Sequence, residues 1–109
     1  MRTVLSIAGT DPTGGAGIQA DLKTIEAYGL FGMSVITAVV AQNTMGVTAM
    51  QPISPELVGQ QIDCVFNDIR PDAVKIGMLH DTEIIHMVAS RLRAHHAENI
   101  VLDPVMVSS

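Results

Sequence analysis

An α/β fold with a mostly parallel, doubly wound sheet is what this sequence predicts, and three observations carry the prediction. Short apolar, β-branched runs alternate with stretches of helical periodicity in the order β-α-β-α-β-α-β. The runs are too continuously apolar for an antiparallel sheet with one wet face. Each run also ends on glycine or a polar residue, as strands do when their carboxyl ends meet a ligand crevice.

The first run, Thr3-Val-Leu-Ser-Ile-Ala8, ends at Gly9 and reads as a buried strand. A turn-rich loop fills residues 9–17. Ile18, Leu22 and Ile25 then recur at helical spacing, with Gly29 as the stop. Met33 to Ala41 is almost wholly apolar and is expected to form one strand covered on both faces. Gln42 to Pro52 carries turn residues and a short extended piece. Ser54-Pro55-Glu56 has the hydroxyl cap, first-turn proline and acid of a helix start. Val58, Ile62, Val65, Phe66 and Ile69 extend one apolar face to Pro71, and Cys64 is assigned to that apolar side as a core thiol. Ala73-Val-Lys-Ile-Gly77 is the third strand. Asp81 caps a third helix bearing Ile84, Ile85, Val88 and Leu92, and Ile100-Val-Leu102 is the fourth strand.

The chain has 109 residues and a net charge of −5, with 48% apolar and 16% charged residues. That composition belongs to globular chains and excludes disorder. The acidic balance, without a Lys/Arg cluster, argues against nucleic acid or an anionic membrane surface as partner. A single cysteine excludes an internal disulfide framework and points to a reducing cytoplasm. No run approaches the roughly 18 apolar residues of a membrane span, and a signal-peptide pattern is not seen.

Four segments fall at carboxyl ends of strands: Gly9–Gly17, Gln42–Gly46, Gly77–Leu79 and Asp103–Val105. Glycines 14, 15 and 17 allow close backbone approach, and the following helix aims its positive end at the loop. Two readings stand: a site for an anionic or polar ligand, or a strand–helix connection that needs glycine for tight packing. The loop lacks the Gly-Lys-Ser/Thr of a Walker A motif. It also lacks the Gly-x-Gly-x-x-Gly of a dinucleotide fold, and Gln42-Asn43 stands where that fold wants an acid. His95-His96 are adjacent, and neighbours on a helix do not face a common ligand. His80 is a weak candidate for a ligand contact. Lys75 lies inside a strand, where it would pair with an acid, and it is assigned no catalytic task.

The stretch Ser6-Ile-Ala-Gly-Thr-Asp-Pro-Thr-Gly-Gly-Ala-Gly-Ile-Gln-Ala-Asp-Leu-Lys-Thr24 closely resembles the opening of the hydroxymethylpyrimidine/phosphomethylpyrimidine kinases, a ribokinase-like family of thiamine biosynthesis. The resemblance continues through Val40-Ala-Gln-Asn-Thr-Met-Gly-Val47, Val74-Lys-Ile-Gly-Met-Leu79 and Val101-Leu-Asp-Pro-Val-Met-Val107. It covers essentially the whole chain. The implied reaction moves the γ-phosphoryl of ATP, with Mg²⁺, onto the hydroxymethyl oxygen of 4-amino-5-hydroxymethyl-2-methylpyrimidine and then onto the resulting phosphate.

By the same resemblance Gln42 pairs with the aminopyrimidine edge, for which an amide offers both donor and acceptor. Composition alone would make it a solvated loop residue. Asp21, one turn past the glycines, becomes a substrate ligand in place of an exposed helical acid. Gly9 and Ala16 let the substrate lie against backbone, and Met78 and Val105 wall the ring faces, where they would otherwise be core. Asp103, before Pro104, is assigned to phosphate positioning or to Mg²⁺ through water, the alternative being a turn aspartate.

The family is longer than this chain, and its later half supplies most of the ATP site, a Gly-rich anion hole and the catalytic base. Residues 1–109 are therefore expected to be the N-terminal portion of one ribokinase-like domain, ending after a strand with no closing helix and inactive alone. The resemblance also implies a homodimer as one assembly of the complete enzyme. Two other functions stay open: a pyridoxal-type kinase of the same superfamily, and a non-catalytic pyrimidine-binding domain.

Overall fold

The computed structural model describes residues 1–103. Its elements run β1 (Thr3–Ala8), α1 (Gly17–Ala27), β2 (Phe31–Ile36), β3 (Ala38–Asn43), β4 (Gly46–Pro52), α2 (Pro55–Phe66), β5 (Ala73–Ile76), α3 (Thr82–Ala94) and β6 (Ile100–Leu102). β1, β2, β5 and β6 form one parallel sheet in the order β2-β1-β5-β6. The chain leaves β1 for β2 on one side and returns to β5 on the other. The strand order therefore reverses between β1 and β5, and a ligand crevice belongs at their carboxyl ends.

Alternation along the strands sorts side chains onto two faces. Leu5, Ile7, Val35, Val74 and Ile76 pack against Val58, Ile62 and Phe66 of α2 and Ile84, Val88 and Leu92 of α3. Leu5, Ile7 and Ile62 are wholly buried, each contributing roughly 1.5–3 kcal/mol through the apolar area removed from water. The opposite face carries α1, whose Leu22 and Ile25 lie over Gly32 of β2. Ser6 and Lys75 point to that face, between the apolar residues that point away.

The helix ends follow their local chemistry. Ser54 accepts from the Leu57 amide and Asp81 from the Glu83 amide, each satisfying a donor that the first turn leaves free. At the end of α1, Gly29 takes φ +75° and the Leu30 amide bonds back to the Ile25 carbonyl. This left-handed C-terminal turn is one that glycine adopts without steric penalty. Arg70 serves the end of α3, donating to the carbonyls of His95 and His96 at 2.7 and 2.6 Å. His95 itself stacks on Phe66 and sits 2.7 Å from Asp63 Oδ1.

Several expectations are corrected. The run Met33–Ala41 is two strands, with the break at buried Thr37. β3 leaves the parallel sheet and pairs antiparallel with β4 as a separate hairpin, into which the expected short extended piece has grown. Unbroken apolarity hid the change of partner. The departure is stabilised by Gln61 of α2, whose amide exchanges two 2.9 Å hydrogen bonds with the backbone of Ile36, in place of a neighbouring strand. β3 alternates buried Ala38 and Val40 with exposed Val39 and Ala41, so one of its faces is open.

Cys64 is exposed. It lies about 200° around the helix from Ile62, which puts it on the face away from the core. Ile69 and Ile85 are likewise exposed, at 40% and 44%. α2 ends at Phe66, so Ile69 is no longer held to its face, and Ile85 sits about 100° from the Ile84–Val88 stripe.

Candidate functional site

The loop after β1 is tied by its own aspartate. Asp11, 5% exposed, accepts from the Thr13 and Ala16 amides at 3.0 and 2.9 Å and from the Thr13 hydroxyl at 2.9 Å. The backbone hydrogen bond from Thr13 leads the effects that hold its carboxyl below the ordinary aspartate range, against the opposing effect of burial. α1 has no side-chain cap of its own at Ala16. The Asp11 carboxylate thus occupies amides that the sequence had left open for a ligand. Gln19 Oε1 accepts from the Asp11 amide at 2.8 Å, closing the loop onto the helix. Thr10 then joins the loop to the hairpin. Its amide donates to the Ala38 carbonyl and its hydroxyl accepts from the Val40 amide, both at 3.0 Å.

Gly17 makes this arrangement possible. Its φ is +62°, and a Cβ there would stand 2.5 Å from the Gly9 carbonyl oxygen. The start of α1 can therefore lie directly against the end of β1, where the Ile18 amide bonds to Gly9 O at 2.9 Å.

A cleft of about 230 Å³ opens at the carboxyl ends of β1 and β5, where the reversal of strand order places it. Gly9, Ala16, Asp21, Met78 and Asp103 all line it, drawn from three of the four strand-end segments and the first helix. Gln42 is outside its walls, with Nε2 donating to the Thr10 carbonyl at 3.3 Å. Val105 lies outside the described residues. His80 also lines the cleft.

Two of the larger depressions lie elsewhere. One of about 520 Å³ sits at the amino ends of the strands. Its Arg70 and Asp72 are spent on local backbone groups, Asp72 accepting from the Thr3 amide at 2.8 Å. The other, about 510 Å³, is an apolar groove between α3 and β6. Neither gathers a set of groups fitted to chemistry.

The floor of the cleft holds a cluster centred on Lys75, a residue to which the sequence alone assigns no catalytic task. Lys75 Nζ lies 2.5 Å from Asp21 Oδ1 and 3.4 Å from Asp103 Oδ2. Ser6 Oγ donates to Asp21 Oδ2 at 2.6 Å. Burial alone would lower the Lys75 ammonium. The hydrogen bond and charge of Asp21, followed by those of Asp103, outweigh it and raise the group above the ordinary lysine range. The legible signal was a pair of polar interruptions, Ser6 and Lys75, in two otherwise apolar strands. Such residues need a polar partner on their face. Among the described residues, no group of three or more His, Cys, Asp or Glu is placed to hold a metal ion.

The chain is similar to known proteins over nearly all of its length. The family model described as phosphomethylpyrimidine kinase matches residues 11–109. The chain is 60% identical over 104 residues to the hydroxymethylpyrimidine/phosphomethylpyrimidine kinase of Salmonella typhimurium, covering 95% of this chain and 39% of that protein. The crystal structure of phosphomethylpyrimidine kinase from Clostridium difficile 630 superposes with a TM-score of 0.95 at 51% identity, over 99% of this chain and 47% of that one. An ADP complex of Bacillus subtilis pyridoxal kinase superposes with a TM-score of 0.89 at 38% identity, over 100% and 42%. The fold is thus the ribokinase-like arrangement, of which the chain spans less than half the length of these relatives. The chain belongs to the phosphomethylpyrimidine kinase family.

Proposed function

We propose that this chain is the N-terminal portion of a single kinase domain that phosphorylates 4-amino-5-hydroxymethyl-2-methylpyrimidine and its monophosphate. Its part is the wall that receives the pyrimidine. The observation that carries this reading is the convergence of Gly9, Asp21, Met78 and Asp103 on one cleft at the point where strand order reverses.

Asp21 accepts a hydrogen bond from the substrate through lone pairs not used by Ser6 and Lys75. Met78, 48% exposed at the cleft, lays its thioether on a ring face. Gly9 and Ala16 let the ring approach backbone. Gln42, held at the rim by Thr10, offers its amide to the aminopyrimidine edge.

ATP supplies the phosphoryl group when bound, and Mg²⁺ its counter-charge. Asp103, with its side chain 55% exposed, is the acid open enough to hold that ion through water, which suits a cation that keeps most of its hydration shell. Because phosphoryl transfer depends on positioning and electrostatic stabilisation of the transferring group, one wall of the site is not sufficient, and residues 1–109 alone are inactive. The setting is the cytoplasm, and the complete enzyme assembles as a homodimer.

The test joins residues 1–109 to the remaining segment of the Salmonella typhimurium kinase and follows ATP consumption in a coupled assay. The joined protein turns over the pyrimidine alcohol and the chain alone does not. A folded joined protein inert toward the pyrimidine, or turnover by the chain alone, overturns the reading. Similarity to pyridoxal kinases at 37–38% identity supports a second reading in which pyridoxal is also phosphorylated. Running both alcohols in the same assay separates the two.

A further inference from the structure

Lys75 is the one lysine or arginine lining the cleft among the described residues, and it touches both of the cleft's acids. It rises from β5, between β1 and β6 in the sheet. Asp21 comes from α1, behind the loop that follows β1. Asp103 follows β6, its amide held by the Ile76 carbonyl at 2.9 Å. The ammonium therefore ties one wall of the cleft to the other. Its two contacts differ in kind. Asp21 is close and shielded, with 13% of its side chain exposed, and a second donor, Ser6, orients it; Asp103 is farther and more open. With two carboxylates upon it, Lys75 is not a spare cation waiting for a phosphate.

We propose that Lys75 is a positioning residue for phosphoryl transfer, fixing Asp21 against the alcohol and Asp103 against the phosphoryl group at one mutual distance. The inference rests on the function proposed above. Without the ammonium the two acids lose their common partner, and Asp103 is free to turn away. The contacts that bind the pyrimidine through Gly9 and Met78 remain. The defect belongs to alignment more than to affinity, and misplacement by about 1 Å is enough to cost roughly 10²-fold in rate.

In the joined protein, Lys75→Met lowers kcat about 100-fold while KM for the pyrimidine alcohol changes less than about 5-fold. Lys75→Arg, which keeps the charge, recovers at least about a tenth of the native kcat. A Lys75→Met kcat within about 3-fold of native overturns the proposal, as does an arginine variant no better than the methionine one. A lysine needed only for folding would lower the yield of folded protein and leave turnover per folded molecule intact.

A ligand-free measurement decides the tether separately. The chain has two lysines, Lys23 and Lys75, so ¹⁵N-lysine labelling resolves each ammonium. The Lys75 signal is expected to persist at neutral pH and to be lost or shifted in both Asp21→Asn and Asp103→Asn, with Lys23 unmoved. A Lys75 signal indifferent to both substitutions overturns the tether. Should the joined protein fail to phosphorylate the pyrimidine, the function falls, and the labelling still decides the contact.

Discussion

Ser6 and Lys75 stand opposite one another across the parallel pair β1–β5, and each holds one oxygen of Asp21. Two neighbouring strands thus grip a helix through a single carboxylate. Ser6 is wholly buried, so water has no ready route to replace its hydroxyl. Ser6→Ala leaves Asp21 Oδ2 without its donor and is expected to destabilise the protein by about 1–3 kcal/mol. Urea unfolding checks it, with an unchanged midpoint counting against the grip.

The main sheet was legible because helices pack on both of its faces, so that β1, β2 and β5 read as largely apolar runs. The same property concealed the hairpin. The apolar residues of Met33–Ala41 do not mark the point where parallel neighbours are exchanged for one antiparallel partner, since both environments accept Val and Ala. The marker was Thr37, a buried polar residue inside the run. In the site, glycines and acids at strand ends could be placed from order alone. The satisfaction of the loop's amides by Asp11 could not, because it depends on how the turn folds back over five residues. Cys64 lies beyond the buried stripe of α2 formed by Val58, Ile62 and Phe66, which is narrower than the helix's apolar composition suggests.

Asp11 makes stability depend on pH in a defined direction. Its folded-state pKa is lowered from the ordinary 3.8, so its contribution is fully present above that value. It is lost as pH falls below 3.8 and through the folded-state value. Urea midpoints measured from pH 6 down to pH 2.5 are expected to fall along this limb. Asp11→Asn, which cannot ionise, is less stable at pH 6 and shows a shallower acid slope. Equal slopes in the two proteins would remove Asp11 from the account.

Exposure of Cys64 on α2 predicts that its thiol reacts with a chromogenic disulfide reagent in the folded protein. Labelling should reach one equivalent without denaturant, at a rate little changed by adding urea below the unfolding transition. A thiol that reacts only through unfolding would restore it to the core.

Gly17 and Gly29 adopt similar left-handed backbones, with φ of +62° and +75°, but their surroundings differ. Nothing lies within 4 Å of a Cβ placed at Gly29, so Gly29→Ala costs the left-handed conformation alone, roughly 1–2 kcal/mol. At Gly17 the added carbon meets the Gly9 carbonyl oxygen at 2.5 Å and the Asp11 amide at 3.3 Å. Both are backbone atoms, and neither can swing aside as a side chain would. Relief requires α1 to move off the end of β1, stretching the hydrogen bond from Ile18 to Gly9 and displacing Asp21 from Ser6 and Lys75. Gly17→Ala is therefore expected to exceed Gly29→Ala by at least about 1 kcal/mol. It should also lower pyrimidine turnover in the joined protein, where Gly29→Ala does not. Equal stabilities and equal turnover for the two variants would show that the contact at Gly17 is easily relieved.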